Sequence, residues 1–522
     1  MDSKKVLNYI GTSILTITMS FNPSIIILSH ILISYHRHYK RIIRFENNLF
    51  IYSFFILSVN FSTIFVNILI KNKKKISIKF VLLISNLCQI MAWLLYYLLD
   101  PSTLILFILI LIIGFCYGLN VSYSMYNMSS YEKNNYKVPM IFGLISCVVS
   151  KLYTLFILMY TNIINDTFVD NDILDRKYFP FVLSRNIHKI ILYYALLLSI
   201  QMLISFLFIT NVNYKGVEEK NDLSINMDVS KLNENNDDSV DEEVEKKIYY
   251  EKNEFVVMIP LLAFPIIYKP FIREKEEINK KMFFDNLNKA KYSFRFIKFF
   301  ISCLFMNFSE EILFSSFIMF VINQKINVIT SYKMITWTSL ISGVFYFIFY
   351  LINKNNHNDN NNNNNDNNYN NKTNYRILIF IKSLLSILIC IYAIFIQKYY
   401  EIIFSVTIGI LFILNQEITN IYLENIFDFD WCVYLFEICS FCKGISSIIG
   451  SSFLYFTCGL KLVDKIGFYY MIYSISIFTN IISFFIIFFD DSSEFKYVHK
   501  SINELKELDG KSIKENNSKK YQ

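Results

Sequence analysis

The residues of this sequence best able to do chemistry are charges set inside long apolar runs: Lys151, Glu310, Glu311, Lys333, Glu417, Glu437 and Lys443. Such a charge costs at least roughly 2.5–3.5 kcal/mol at the centre of a bilayer, so it persists where it faces a cavity or a partner. Glu437 and Lys443 are six residues apart, about 120° round a helix, and need different partners. Lys443 has three readings: counter-ion of a carboxylate ligand, ion-pair partner of a glutamate on another span, or a side chain snorkelling to the interface. Glu310 and Glu311 point about 100° apart, so at most one of them squarely faces a lumen. A carboxylate in low dielectric takes up a proton more readily, which leaves Glu310, Glu311, Glu417 and Glu437 two roles, proton coupling or charge pairing. Asn415 and Gln416 stand beside Glu417 and read with Lys443 as lining of a binding cavity. Lys151 and Lys333 lie nearer the ends of their runs, where snorkelling is the better reading.

Cysteine adds no second chemistry. Most of the nine cysteines lie in or beside apolar runs and read as small packing residues. Cys439 and Cys442 have C-x-x-C spacing, but no second pair accompanies them, so no metal and no cofactor is expected. The six histidines read as mostly loop residues, which leaves no Ser/His or His/Asp constellation for a membrane enzyme.

The elements that must position these charges follow from composition. The chain has 522 residues, of which 54% are hydrophobic and only 18% charged, and its mean hydropathy is +0.37. Soluble domains are about one quarter charged, so a soluble enzyme is excluded and a lipid-covered surface is required. The net charge of +7 belongs to loops on one side of a bilayer and does not indicate nucleic acid. An apolar window of about 20 residues spans a membrane. Such windows fall near 6–34, 49–70, 78–99, 103–127, 138–162 and 189–210, then near 296–322, 327–353, 376–397, 400–424, 431–458 and 466–489. The expected class is an all-α polytopic membrane protein with about twelve spans.

Four regions follow: an N-terminal six-helix bundle over 1–210, a central loop over 211–294, a C-terminal bundle over 295–490 with an Asn-rich loop at 354–375, and a tail over 491–522. The acidic, Asn-rich stretch from Glu218 to Glu254 cannot bury enough apolar surface to fold, so the central loop reads as largely disordered. Within it, the apolar stretch from Phe255 to Tyr268 is too short and too broken by Pro260 and Pro265 to span, and reads as an interfacial or packed segment. Lysines at 71, 73, 74, 75, 79, 133 and 137 and along the tail place the loop, the tail and the N-terminus in the cytosol, with Arg37, Lys40, Arg41 and Arg44 opposing. The plasma membrane is the default location, since no targeting signal is legible.

Three stretches carry a family resemblance. Gly114-Phe-Cys-Tyr-Gly118-Leu119, followed by Tyr131, Lys133, Lys137 and Gly143, resembles the fourth-to-fifth span region of the monocarboxylate transporter and oxalate/formate antiporter branch of the major facilitator superfamily. Cys442-Lys443-Gly444, with Gly450 beyond it, resembles the eleventh span of the oxalate/formate proteins. The stretch from Asn415 to Phe429 is similar to that branch's loop after the tenth span. The loop Asn72 to Lys79 lacks the Asp and Gly of the superfamily's gating loop, and the eighth span lacks the branch's arginine.

The resemblance implies two six-helix bundles with substrate bound between them. It implies a secondary active transporter for a small organic anion, a monocarboxylate such as lactate or pyruvate, with H⁺ as a candidate co-substrate. In that branch a lysine contacts the substrate carboxylate, and Lys443 is the matching position. A carrier of another small solute, such as an amino acid, nucleoside or drug, stands as the alternative, and a membrane-embedded enzyme or sensor as a more distant one. No G-x-x-x-x-G-K-[ST] motif is present for ATP.

Overall fold

The computed structural model describes residues 7, 10, 11, 14, 25–38, 47–71, 78–99, 103–131, 187–209, 255–259, 264–268, 293–323, 337, 338, 341, 344, 345, 348, 375–396, 399–426, 429–459 and 466–489. The expected spans at 138–162 and most of 327–353, together with Lys151 and Lys333, lie outside them. Ten helices are described. Five belong to the first half: α1 Ile25–His38, α2 Asn47–Lys71, α3 Ile78–Leu99, α4 Thr103–Tyr131 and α5 Ile187–Phe208. Five belong to the second: α6 Phe294–Asn323, α7 Tyr375–Phe395, α8 Tyr400–Ile426, α9 Phe429–Gly459 and α10 Ile466–Phe488.

These helices form in runs of Leu, Ile and Phe that contain no proline. Their surfaces invert the pattern of a water-soluble fold. Leu98, Leu104, Leu203, Leu207, Phe456 and Phe478 face outward, while Ser53, Asn86, Asn120, Glu310, Lys382 and Asn480 are buried. Segments Lys79–Leu99, Ile187–Phe208, Arg376–Phe395, Ile402–Leu423 and Tyr469–Phe488 are each long and apolar enough to cross a membrane.

In the first half α4 packs on α2 and α3, α3 on α5, and α1 on α2. The G-x-x-x-G edge of α4 sets the first of these contacts. A Cβ on Gly114 would stand 2.9 Å from the Phe55 carbonyl oxygen, and one on Gly118 would stand 2.8 Å from that of Val59. In the second half α6 is central, against α8, α9 and α10, while α7 bridges α8 and α10.

The halves meet where α2 crosses α9. Ser53 donates to the Ser447 carbonyl at 3.0 Å, Ser447 donates back to the Ser53 hydroxyl at 3.1 Å, and Ser53 also bonds the Ser451 hydroxyl. Gly444 lets the backbones approach, because a Cβ there would lie 3.0 Å from Leu57 Cα. Phe50 against Tyr455 and Phe61 against Phe441 extend the crossing both ways.

One element departs from the helical pattern among the described residues. β1 Phe255–Ile259 and β2 Phe264–Tyr268 pair antiparallel, Phe255 opposite Tyr268 and Ile259 opposite Phe264, where the sequence suggests an interfacial or packed segment. Pro265 is tolerated because each strand of a two-stranded ladder has a free edge. β1 runs beside α4 and β2 beside α8.

Candidate functional site

Midway along α6 two adjacent glutamates turn to different neighbours, as a step of about 100° per residue requires. Glu310 faces inward within the second half. Its Oε1 lies 3.5 Å from the Lys382 ammonium of α7, and its Oε2 accepts the Asn415 amide of α8 at 2.5 Å. Lys382 also donates to Asn480 of α10 at 2.9 Å, and Asn480 in turn bonds the hydroxyls of Ser309 and Ser386. Four helices thus share one closed polar cluster, its lysine and glutamate balanced in charge.

Glu311 faces the crossing of the halves. Its Oε1 lies 3.8 Å from Lys443 of α9, while Tyr52 and Ser447 flank its carboxylate. Lys443 also stands 4.3 Å above the Phe412 ring of α8, a cation–π geometry. It is 12% exposed, against 1% for Glu311, so this pair reaches the open side of the cluster and the Glu310–Lys382 pair does not. Tyr52 packs on Phe314 of α6, which brings a residue of the first half against a pair made by the second.

Hydrogen bonding differs in degree between the two glutamates. The Tyr52 and Ser447 hydroxyls face the Glu311 carboxylate without closing to a short hydrogen bond, while Glu310 has one oxygen that accepts a close amide and one, Oε1, that among the described residues accepts none, like the Oδ1 of Asn415.

The structure thus brings Lys443, Glu310, Glu311 and Asn415 together. Glu417 is buried on α8 but turned about 200° from Asn415. Gln416 and Glu437 lie on α8 and α9, and their side chains are outside the described residues. Sequence reasoning missed Lys382, a single charge two turns into an apolar run, which was its one signal. It also missed Tyr52, whose type does not distinguish it from an interfacial anchor.

His36 and His188 differ from the expectation of loop residues, whereas His30 lies in the first expected span. His30 and His36 are buried in α1, and His188 opens α5. The Tyr96 hydroxyl lies 3.0 Å from His36 Nε2, and the His188 ring is 4.6 Å from that of Tyr35, so these rings pack inside the first half and not in loops. Cys439 and Cys442 are buried, and no group of His, Cys, Asp and Glu suited to a metal occurs among the described residues.

No family model and no curated protein matches the sequence. Solved structures do match in fold. A single-residue mutant of the nucleoside transporter NupG is 11% identical, with 92% of this chain and 100% of that chain covered and a TM-score of 0.57. NupG itself is 12% identical over 93% and 98%, with a TM-score of 0.55. A POT family transporter in complex with 5-aminolevulinic acid is 12% identical over 91% and 95%, with a TM-score of 0.54. At these identities the likeness establishes the fold. The chain is an integral, multi-pass, all-α membrane protein of the major facilitator fold.

Proposed function

We propose that the chain is a secondary carrier for a small organic solute bound through its carboxylate, monocarboxylates such as lactate or pyruvate being the simplest members. The observation that carries this reading is the Lys443–Glu311 pair, reached by solvent at Lys443 alone, midway along its helices and beside the crossing of the two halves. A carrier needs its ligand site where the halves meet, because rocking about that site exposes it to either side in turn.

The charges suggest how a proton would be coupled. With no substrate, Glu311 balances Lys443. An entering carboxylate competes for the Lys443 ammonium, and a buried Glu311 that has lost its partner is costly. Protonation of Glu311 removes that cost. The loaded site then holds one ammonium, one substrate carboxylate and one neutral acid, the same net charge as the empty one. The serine contacts of α2 with α9 break and reform as the halves move.

The test is uptake of labelled lactate and pyruvate into liposomes holding the purified protein, with and without an inward proton gradient, beside Lys443→Ala. Saturable uptake that the gradient drives and the substitution abolishes is expected. Absence of uptake by protein that keeps its thermal transition overturns the carboxylate reading.

A further inference from the structure

Resting on the carrier reading, the acceptors beside Lys443 say more about the solute. Lys443 offers a cation to a carboxylate, but the Glu311 carboxylate and the Asn415 Oδ1 are acceptors that a carboxylate cannot satisfy. The Asn415 Oδ1 has no donor among the described residues, and the Glu311 carboxylate meets the Tyr52 and Ser447 hydroxyls short of a close hydrogen bond. Its ion pair with Lys443, at 3.8 Å, is also longer than a hydrogen bond. Glu310, one residue away, is held more closely, with an amide at 2.5 Å on Oε2 and an ammonium 3.5 Å from Oε1, although Oε1 too accepts no hydrogen bond among the described residues. The contrast lies between the glutamate locked inside one half and the glutamate facing the other half.

We infer that the solute is a zwitterion of the neutral α-amino acid type, its carboxylate on Lys443 and its ammonium on Glu311. An α-ammonium carries three N–H donors within a few ångströms of its carboxylate, a span that suits a lysine and a glutamate 3.8 Å apart. Insertion replaces one long ion pair with two shorter ones and leaves every charge balanced, so the ammonium does for Glu311 what a proton would do beside lactate. The rings of Phe412, Phe314 and Tyr52 stand around the pair and favour an apolar side chain on the solute. Tyr52 comes from the first half, so a bound ammonium touching Glu311 and Tyr52 links the two bundles.

The test uses the full chain in liposomes and measures uptake of labelled L-leucine, L-alanine, the other neutral amino acids, lactate and pyruvate. Unlabelled leucine, its 2-hydroxy acid analogue and its decarboxylated amine serve as competitors. Saturable uptake of a neutral amino acid is expected, with each analogue competing about tenfold or more weakly than leucine, since the hydroxy acid must first draw a proton onto Glu311 and the amine leaves Lys443 without a counter-ion. Glu311→Gln and Tyr52→Phe should both raise the half-saturating concentration. Uptake of lactate or pyruvate without any amino acid overturns the zwitterion and leaves the carrier standing. Equal competition by the hydroxy acid also overturns it, whatever the variants do. No uptake of any compound by folded protein overturns both.

Discussion

Lys382 on α7 lies 3.5 Å from Glu310 on α6, with both side chains closed off from solvent. The pair is tolerable because each charge is also hydrogen-bonded, Glu310 by Asn415 and Lys382 by Asn480. Removing one partner strands the other. Lys382→Met is expected to cost about 3–5 kcal/mol, whereas Lys382→Met combined with Glu310→Gln removes both charges and recovers most of that loss. Thermal unfolding of the two proteins in the same detergent checks this. A single variant as stable as the parent would show that the cluster does not hold the second half together.

The Phe412 ring beneath the Lys443 ammonium gives a second expectation. Phe412→Leu keeps most of the volume and removes the cation–π contact, worth roughly 0.5–2 kcal/mol. Apparent substrate affinity in the liposome assay should fall by about twofold to thirtyfold, with the maximal rate little changed, because the ring acts on binding and carries no charge through the cycle. An unchanged affinity would mean that the ring does not place the ammonium.

Two glycines in neighbouring helices make a matched pair. A Cβ on Gly444 would lie 3.0 Å from the Leu57 backbone, whereas one on Gly467 would meet nothing within 4 Å among the described residues. Gly444→Ala must push α9 off α2 and should cost about 1–3 kcal/mol. Gly467→Ala should be neutral or stabilise by roughly 0.5–1 kcal/mol, as expected where alanine replaces glycine in a helix with room for it. Melting temperatures of both variants decide the matter, and equal shifts would argue against the close crossing.

How far the sequence could be read depended on what each residue had to contend with. The spans were legible because apolar runs longer than a bilayer is thick have few alternatives. Lys443, Glu310 and Glu311 stood out because a charge in such a run is costly wherever it sits. Which lysine meets which glutamate was not legible, because pairing depends on helix rotation and contact across elements far apart in sequence. Lys382 carried the same signal as Lys443 and was missed for want of a motif around it. Tyr52 and Asn480 gave less warning, since a tyrosine or asparagine in a membrane helix can lie at an interface, in a crossing or in a site. The histidines misled for the opposite reason. Polar rings near span ends resemble loop residues, but those of His36 and His188 are packed by the aromatic side chains of α1 and α3.

The crossing of α2 and α9 gives the most direct test of motion. Ser53 and Ser447 lie on opposite halves with their hydroxyls 3.1 Å apart, close enough that cysteines in their place can meet the geometry of a disulfide. In the double variant Ser53→Cys/Ser447→Cys, a mild oxidant should form that bond, while either single variant should not form it. A covalent link here holds α2 on α9, so a carrier that must part its halves should lose uptake on oxidation and regain it with a thiol reductant. Cross-linking read by mass spectrometry and uptake read on the same liposomes separate the outcomes. A linked protein that transports at the full rate would show that this crossing stays closed throughout the cycle, and the moving surfaces would then have to be sought elsewhere between the halves.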